Sequence, residues 1–216
     1  MKLNDMATEA VGYVQPSLDG VKLRLAALPS LEKIESEKSP VGFFERIVFN
    51  FKEYNGDAEF NTNMFSPYTF DREQYDKGVI ENKGKKRADT EAGKYVNMVN
   101  NNFGRLMHLF GCFMTKENYE ILQETDIEDA EEFLATAEKL YDKDLFDIEF
   151  TSMIGYVGKY VQWPKFGDCL SSKHKEKPLV FKEDSKYFTL HSTVSSPDSE
   201  SRGAASVPRA RNSNNI

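Results

Sequence analysis

The stretch 42–65, GFFERIVFNFKEYNGDAEFNTNMF, constrains the fold more than any other, because two alternating runs flank Asn55-Gly56. An Asn-Gly pair between alternating apolar and polar residues is a strong signal for a β-hairpin. The sequence therefore predicts antiparallel strands near 43–54 and 58–66. Four apolar side chains of the first strand share one face of ordinary core composition, namely Phe43, Ile47, Phe49 and Phe51.

The opposite face of this strand mixes aromatic, cationic and amide side chains. It carries Phe44, Arg46, Val48, Asn50, Lys52 and Tyr54. A protein that holds single-stranded nucleic acid without reading its sequence needs flat rings for the bases and cations for the phosphates, and each stacked base contributes about 1–3 kcal/mol. The pattern predicts such a surface, although packing under helices or an ordinary solvated face would use the same residues. In the second strand, the sequence does not decide whether Phe60, Thr62 and Met64 or Asn61, Asn63 and Phe65 face outward.

Composition indicates one globular domain with an elaboration, or two small ones. The chain has 216 residues, 39% hydrophobic, and its 16 Phe and 10 Tyr can fill a sizeable core. It lacks a run of about 18 apolar residues and an apolar N-terminal signal, so we expect no membrane span and a cytoplasmic protein. Its two cysteines, Cys112 and Cys169, do not form a disulfide framework, and buried thiols in a reducing compartment are expected.

Two more segments complete the first third of the chain. The run VKLRLAAL at 21–28 predicts a strand whose outer face carries Lys22 and Arg24, followed by a polar connection that ends at Pro40. Residues 67–92 are polar and irregular, which predicts a flexible loop. This loop contains a cluster of cations without an acid, Lys83, Lys85, Lys86 and Arg87, that could hold phosphates.

The hydrophobic period changes in the middle of the chain, so we expect a helical insertion over about 95–142. An apolar stripe at helical spacing includes Val99, Phe103, Leu106, Met107 and Phe110, with Phe113 or Met114. Thr115 is a candidate cap for a second helix and Asp126 for a third. The third has acids in its first turn and lysines in its last, which suits the helix dipole.

Strands are predicted again after about residue 145. Phe146, Ile148 and Phe150 alternate with Asp147, Glu149 and Thr151. A turn around Gly155–Gly158 then precedes KYVQWPKF, where Trp163 stands between Lys159 and Lys165 and repeats the combination of a ring with cations. A short strand or hairpin is expected within 177–194. Residues 195–216 are rich in Ser, Pro, Gly and Asn and predict a disordered tail after a domain spanning 1–194.

Three strands, a helical insertion and two or three further strands give the order of an oligonucleotide-binding (OB) barrel. In that plan a five-stranded barrel carries a helical segment between its third and fourth strands, and its outer sheet face and loops are free for a ligand. The predicted fold class is therefore a β-barrel with an α insertion and a disordered C-terminal tail.

The chain resembles the OB-fold single-stranded-DNA-binding proteins of tailed bacteriophages over roughly residues 15–190. The likeness rests on the early meander, on NNNFGRLMHLFGCFMTKENYEIL and on LFDIEFTSMIGYVGKYVQWPKFGDCLSS. In such proteins an arginine and a histidine commonly sit among the aliphatic residues of the helix, and Arg105 and His108 occupy those places here. The resemblance implies single-stranded DNA as ligand, no catalytic residues, no cofactor and no metal.

The resemblance also implies replication or recombination proteins as partners and the host-cell cytoplasm as location. Many such proteins end in an acidic tail, whereas this tail carries Arg202, Arg209 and Arg211 against Asp198 and Glu200. The net charge of −7 argues against uniform coating of a polyanion. The charge is segregated, however, because residues 117–149 hold thirteen acids and two bases.

Two other classes of function are open. In a non-enzymatic protein-interaction or virion accessory module, the aromatic face would be a protein interface and the acidic helices would bind a basic partner. In a metal nuclease, Asp144, Asp147 and Glu149 would be metal ligands, although nothing else in the sequence completes such a site. His108 and Cys112 are one helical turn apart, but a zinc site needs further ligands. Neither oligomeric state nor the choice between DNA and RNA can be inferred from the sequence.

Overall fold

The fold is described from a computed structural model of the chain, for residues 14–17, 19–37, 39, 42–85, 87–157, 160–164, 168–175 and 179. Three strands come first in these residues, β1 (Val21–Glu35), β2 (Phe43–Glu53) and β3 (Glu59–Phe65). Four helices follow, α1 (Arg72–Asn82), α2 (Glu91–Phe110), α3 (Lys116–Glu124) and α4 (Ala130–Leu140). After a 3₁₀ turn (Leu145–Asp147) come β4 (Phe150–Ser152), β5 (Gly155–Val157), β6 (Tyr160–Gln162) and β7 (Leu170–Ser171).

Five of these strands form one sheet in the order β3-β2-β1-β4-β7, and every pairing in it is antiparallel. Strands β5 and β6 form a separate hairpin, and β6 lies against β3. Among the described residues the edge strands β3 and β7 do not pair, so the sheet is open and the predicted closure into a barrel is wrong. The β5–β6 hairpin is separate from the sheet, and β7 pairs with β4 through only two residues.

The predicted hairpin is confirmed. Strands β2 and β3 pair in continuous register from Arg46 opposite Phe65 to Lys52 opposite Glu59. Alternate residues of β2 are buried, among them Ile47, Phe49 and Phe51. Burying one face of a strand fixes its register, because a shift by one residue would turn every side chain to the other face. The core therefore lies on one side of this sheet.

Strand β1 is longer than predicted. Its first half, with Val21 and Leu23 inward and Lys22 outward, follows the prediction, but the expected polar connection continues the strand to Glu35. The pairing with β2 shifts register on both sides of Ala27, and the buried Pro29 lies in this irregular stretch. Proline cannot donate to the ladder and is found at such bulges. Pairing with β2 therefore holds a segment whose composition suggests a loop.

Helix α2 carries the apolar stripe that covers the inner side of the sheet. Leu106, Leu109 and Phe110 are fully buried, and the ring of Phe110 lies 6.1 Å from that of Phe49 in β2. Phe103, predicted to share the stripe, is 44% exposed. The helix begins one turn before the predicted boundary because Thr90 caps it by accepting from the backbone N–H of Gly93 at 3.0 Å.

The helix caps agree with the sequence in one case and differ in the other. Thr115 caps α3 as predicted, since its hydroxyl oxygen accepts from the backbone N–H of Asn118 at 3.3 Å. Helix α4 is capped by Asp129, which accepts from the backbone N–H of Glu132 at 2.8 Å, so the predicted cap at Asp126 is wrong. Asp126 and Asp129 both precede the acidic first turn of α4. The helix begins at Ala130, whose side chain is buried.

Helix α1 lies in the segment predicted to be an irregular loop. Asp71 begins it by accepting from the backbone N–H of Gln74 at 3.0 Å. The helix gives almost no periodic signal, because Gly78 is its only buried residue. It packs against α2 at this glycine, where an added Cβ would lie 2.1 Å from the carbonyl oxygen of Ala92. The two helices thus form a hairpin that needs a glycine at its contact.

Replacing Gly78 by alanine is expected to separate α1 from α2 and to lower the free energy of unfolding by about 1–3 kcal/mol, as overpacking does. Urea unfolding followed by circular dichroism measures this change. Gly104→Ala is the matched control, since nothing lies within 4 Å of a Cβ placed there. We expect that control to stabilise α2 by up to about 1 kcal/mol. Equal stability of the two variants would contradict the glycine contact.

The return to strands differs from the alternation predicted at 146–151. Residues Leu145–Asp147 form a 3₁₀ turn, which changes the phase of the chain, so Leu145 is buried and Phe146 is 47% exposed. Only Ile148 and Phe150 of the predicted inward set are buried. The segment Gly155–Val157, expected to begin a turn, is strand β5.

The remaining predictions on domain organisation lie partly outside the described residues. The predicted strand within 177–194 is described only at residue 179, and the predicted tail at 195–216 is not described at all. Among the described residues, no helix is both long enough and apolar enough to cross a membrane.

Candidate nucleic-acid interface

The side of the sheet opposite the core carries the residues that the sequence singled out. We call this surface the outer face; its outward residues on β1, β2 and β3 include Arg24, Phe44, Arg46, Asn50, Lys52, Asn61, Asn63 and Phe65, together with the acids Glu32 and Glu59. Cross-strand register places Arg24 beside Lys52, Asn50 beside Asn61, and Arg46 beside Phe65. From Phe44 to Lys52 the face extends about 26 Å at 3.3 Å per residue.

An aromatic pair lies at one end of the outer face. The rings of Phe44 and Phe65 are 5.8 Å apart at 62°, and Phe65 is 58% exposed. Ile34, opposite Phe44 in β1, is 39% exposed. Exposed aromatic rings on neighbouring strands are platforms on which bases can stack.

Phe65 is the functional candidate that sequence reasoning left undecided. Phe60 is the residue that resolves the choice, because it pairs with the buried Phe51 and is itself 3% exposed. Successive residues of a strand point to opposite faces, so Asn61, Asn63 and Phe65 must then face outward. The pairing of Phe51 with Phe60 follows from the length of the hairpin connection, so that connection was the available signal.

Cations lie at the other end of the outer face. Arg24 and Lys52 are direct cross-strand neighbours, and like charges in that position destabilise a sheet. The nearest acid to Lys52 is Glu59, whose Oε1 is 3.8 Å from the lysine Nζ. An anion between Arg24 and Lys52 would relieve their repulsion. Strand β1 therefore brings together two cations that the sequence placed 28 residues apart.

Two other predicted cations are engaged by acids. The Nζ of Lys22 lies 2.9 Å from Glu149 Oε1 and 2.7 Å from the hydroxyl oxygen of Thr151. The Nε and Nη2 atoms of Arg46 lie 2.8 and 2.6 Å from one oxygen of Glu32. These pairs are solvent-exposed, and exposed ion pairs contribute only about 0–1 kcal/mol. A phosphate can therefore replace either carboxylate at low cost.

Tyr54 lies beyond the cationic end and is half-buried. Its backbone N–H donates to the carbonyl oxygen of Lys22 at 2.9 Å. Its hydroxyl donates to the carbonyl oxygen of Asp147 at 3.4 Å. These contacts hold the ring at the end of the sheet between β1 and the 3₁₀ turn.

Trp163 is a core residue, so the prediction that its ring is a stacking platform on an outer strand face is wrong. Its side chain is 5% exposed, and its ring lies 5.3 to 5.9 Å from those of Phe49, Phe51 and Phe60. Its indole N–H donates to the hydroxyl of Ser152 at 2.9 Å. The predicted flanking cations Lys159 and Lys165 lie outside the described residues. The chain after β6 turns beneath β2 and β3, which local spacing could not reveal.

The cations of the predicted loop lie beside the helical hairpin. Lys83 is the exposed C-cap of α1, and the Nζ of Lys85 is 2.8 Å from Asp89. Arg87 is exposed and lines a groove along α2. Lys86 lies outside the described residues. The predicted site residues thus fall into two groups, one on the outer face and one at the α1–α2 connection.

The cysteines do not have the chemistry of nucleophiles. Both are unpaired and fully buried. Burial raises the pKa of Cys112 to about 12 and that of Cys169 to about 11. At neutral pH both are therefore neutral thiols, whereas the thiolate is the reactive form. Within the described part of the chain, no group of three or more His, Cys, Asp or Glu side chains is placed to hold a metal ion.

A partly buried cluster of charged and polar side chains fixes the chain after β7 to the end of α4. One carboxylate oxygen of Asp142 lies 2.8 Å from His174 Nε2 and 3.3 Å from Lys173 Nζ. The other accepts from the backbone N–H of Asp144 at 2.9 Å. The backbone N–H of Asp144, together with Lys173 and His174, lowers the pKa of Asp142. The ionised carboxylate is thus a structural group.

Asp142→Asn is expected to lower the melting temperature by a few degrees near neutral pH and to matter less in acid. A carboxyl group whose pKa is lowered by folding stabilises the protein above its unfolded pKa, about 3.9. That contribution disappears as the pH falls through the lower folded pKa. Melting curves between about pH 6 and pH 2 should show the gap to wild type closing. Asp144→Asn is the control, and a gap independent of pH would contradict this role.

Comparison with protein-family models, curated proteins and solved structures gives no significant match. The residues of the outer face and of the α1–α2 connection are therefore the basis for a functional assignment.

Proposed function

We propose that this chain is a non-enzymatic protein that binds single-stranded DNA on its outer face, by base stacking and phosphate contacts. The observation that carries the proposal is the combination, on the solvent-facing side of the sheet, of an aromatic pair that includes the exposed ring of Phe65 with two cations that are cross-strand neighbours. Phe44 and Phe65 offer rings at one end, and Arg24 and Lys52 offer charge at the other. Asn50, Asn61 and Asn63 supply amides between them.

The topology supports an OB-type architecture for this surface. OB folds are five-stranded, partly open Greek-key barrels whose β2–β3 face binds oligonucleotides. Here the helices separate β3 from β4, β4 pairs with the start of β1, and β6 lies against β3. The aromatic pair occurs on β2 and β3, where that architecture places its ligand. The setting we propose is replication or recombination of bacteriophage DNA, together with other proteins of those processes.

Neutralising Glu32 is expected to strengthen binding. Its carboxylate holds Arg46 on the outer face at 2.6 Å and repels phosphates. Glu32→Gln frees the guanidinium and removes one negative charge, so we expect affinity for a single strand to rise several-fold at low salt. Fluorescence anisotropy with a labelled oligonucleotide measures it. Glu117→Gln, in the first turn of α3, is the control, and equal gains from both variants would indicate a general charge effect.

The test of the proposed function is binding of a labelled oligo-dT of about 30 nucleotides, a length above the roughly 4–16 nucleotides that one OB fold covers. Anisotropy is measured at two salt concentrations and beside a duplex of equal length. We expect preference for the single strand and a fall in affinity with salt, with a slope of about −0.7 per phosphate contacted.

Equal binding to duplex, or no binding at low salt, would contradict the proposal. Either result would favour the interaction-module alternative, in which the aromatic pair contacts a protein. Degradation of the oligonucleotide in the presence of magnesium would instead support the nuclease alternative.

A further inference from the structure

A groove runs along helix α2, separate from the outer face. It has a volume of about 900 Å³ and is bordered by the α1–α2 connection and by the segment before β7. Its cationic and amide lining includes Arg87, Lys94, Asn97, Asn101, Arg105 and His108. Ala88 and Met98 also line it, so the groove offers apolar surface beside amides and cations that can hold an anionic ligand.

The residues of α2 in this groove form one stripe. Positions 94, 97, 101, 105 and 108 follow spacings of three and four, so they share one face of the helix. Lys94 and Arg105 are about 16 Å apart along the helix axis at 1.5 Å per residue. Gly104 also lines the groove, and nothing lies within 4 Å of a Cβ placed on it. The stripe is thus long and open enough for an extended chain.

Positive groups outnumber negative ones along the groove. Asp168 is its only acidic lining residue among those described, and its carboxylate lies 3.5 Å from His108 Nδ1. Glu91 lies outside the lining and contacts Lys94 at 2.7 Å in an exposed pair. Arg87, Lys94 and Arg105 are cationic at neutral pH, in a chain of net charge −7. This local excess complements the phosphates of a nucleic-acid strand.

We propose that the α2 groove is a second contact for single-stranded DNA and holds the sugar-phosphate backbone of the strand that the outer face binds. This inference rests on the proposed function for the identity of the ligand. Arg105 links the groove to the core, because its guanidinium lies 5.8 Å from the ring centre of Trp163. Trp163 is the chain's single tryptophan, so the emission comes from this ring alone, and a shift of Arg105 beside it should change that emission.

The test compares Arg87→Ala/Lys94→Ala with wild type, using the full chain and oligo-dT of 30 nucleotides. Loss of two phosphate contacts is expected to lower affinity about 5- to 10-fold at low salt and to reduce the salt slope by about 1.4. Wild-type Trp163 emission should change on binding, and this change should shrink in the groove variant. Lys116→Ala, an exposed cation of α3 outside the groove, is the control.

The outcomes separate the two proposals. Wild-type affinity and an unchanged salt slope in the groove variant would overturn the groove contact and leave the outer face intact. Loss of binding in the groove variant, with Phe44→Ala/Phe65→Ala binding like wild type, would support the groove and refute the outer face. Absence of single-strand binding by the wild type would overturn both.

Discussion

Trp163→Ala is expected to lower the free energy of unfolding by about 3–5 kcal/mol, the range for removing a large aromatic side chain from a core. The indole is 5% exposed and touches three phenylalanine rings of β2 and β3. Its loss leaves a cavity beneath the hairpin and removes the donor to Ser152, which is fully buried. The chain directly after β6 would then lose its aromatic contacts with the sheet.

Urea unfolding followed by circular dichroism measures this effect, with two comparison variants. Trp163→Phe keeps one aromatic ring but loses the N–H donor and part of the indole volume, so it should cost less than alanine. Phe65→Ala removes an exposed ring and should stay within about 0.5 kcal/mol of wild type, as surface substitutions usually do. If Trp163→Ala were as stable as Phe65→Ala, the core position of the indole would be incorrect.

The second large effect concerns affinity and should leave stability unchanged. Each stacked base contributes about 1–3 kcal/mol, so Phe44→Ala and Phe65→Ala are each expected to weaken binding of oligo-dT about 5- to 150-fold. The two rings touch, so their effects should not add. Phe146→Ala is the matched control, because Phe146 is 47% exposed and lies in the 3₁₀ turn rather than on β2 or β3.

Anisotropy titrations at one salt concentration give the dissociation constants, and melting curves verify that each variant is folded. Wild-type affinity of the Phe44→Ala/Phe65→Ala double variant, with its fold preserved, would remove the outer face as a stacking surface. An equal loss in Phe146→Ala would show that exposed rings act without regard to position.

Alternation predicted the β2–β3 hairpin and its buried face because a half-buried sheet imposes a period of two on every residue. Phe49 and Phe51 were therefore assigned correctly, as were the outward cations Lys22 and Arg24. To predict which side chains of β3 face outward, the register of β3 with β2 is needed as well, and that register depends on the length of the hairpin connection. The outer face could thus be predicted in large part, and Phe65 is the addition from structure.

Features set by distant contacts could not be predicted. Trp163 has lysines nearby in sequence, but its environment is made by β2, β3 and β4. Helix α1 has no apolar stripe, because its contact with α2 is made through Gly78. The second half of β1 has a polar sequence because most of its side chains are exposed, and backbone pairing with β2 keeps it in the strand. In each case the structure of the segment depends on a contact with residues distant in sequence, and the local sequence pattern does not identify those residues.

The attachment of α1 to the rest of the chain has a consequence for how the protein opens. Among the described elements, α2 is the main packing partner of α1, and their contact centres on a glycine. Such a unit can detach in a partial opening while the sheet and its core stay intact. We therefore expect amide hydrogens of α1 to exchange ahead of those of β2, and the first proteolytic cut in the helical region to fall between residues 66 and 90. Single-stranded DNA bound along α2 next to Arg87 would slow both the hydrogen exchange of α1 and the proteolytic cut.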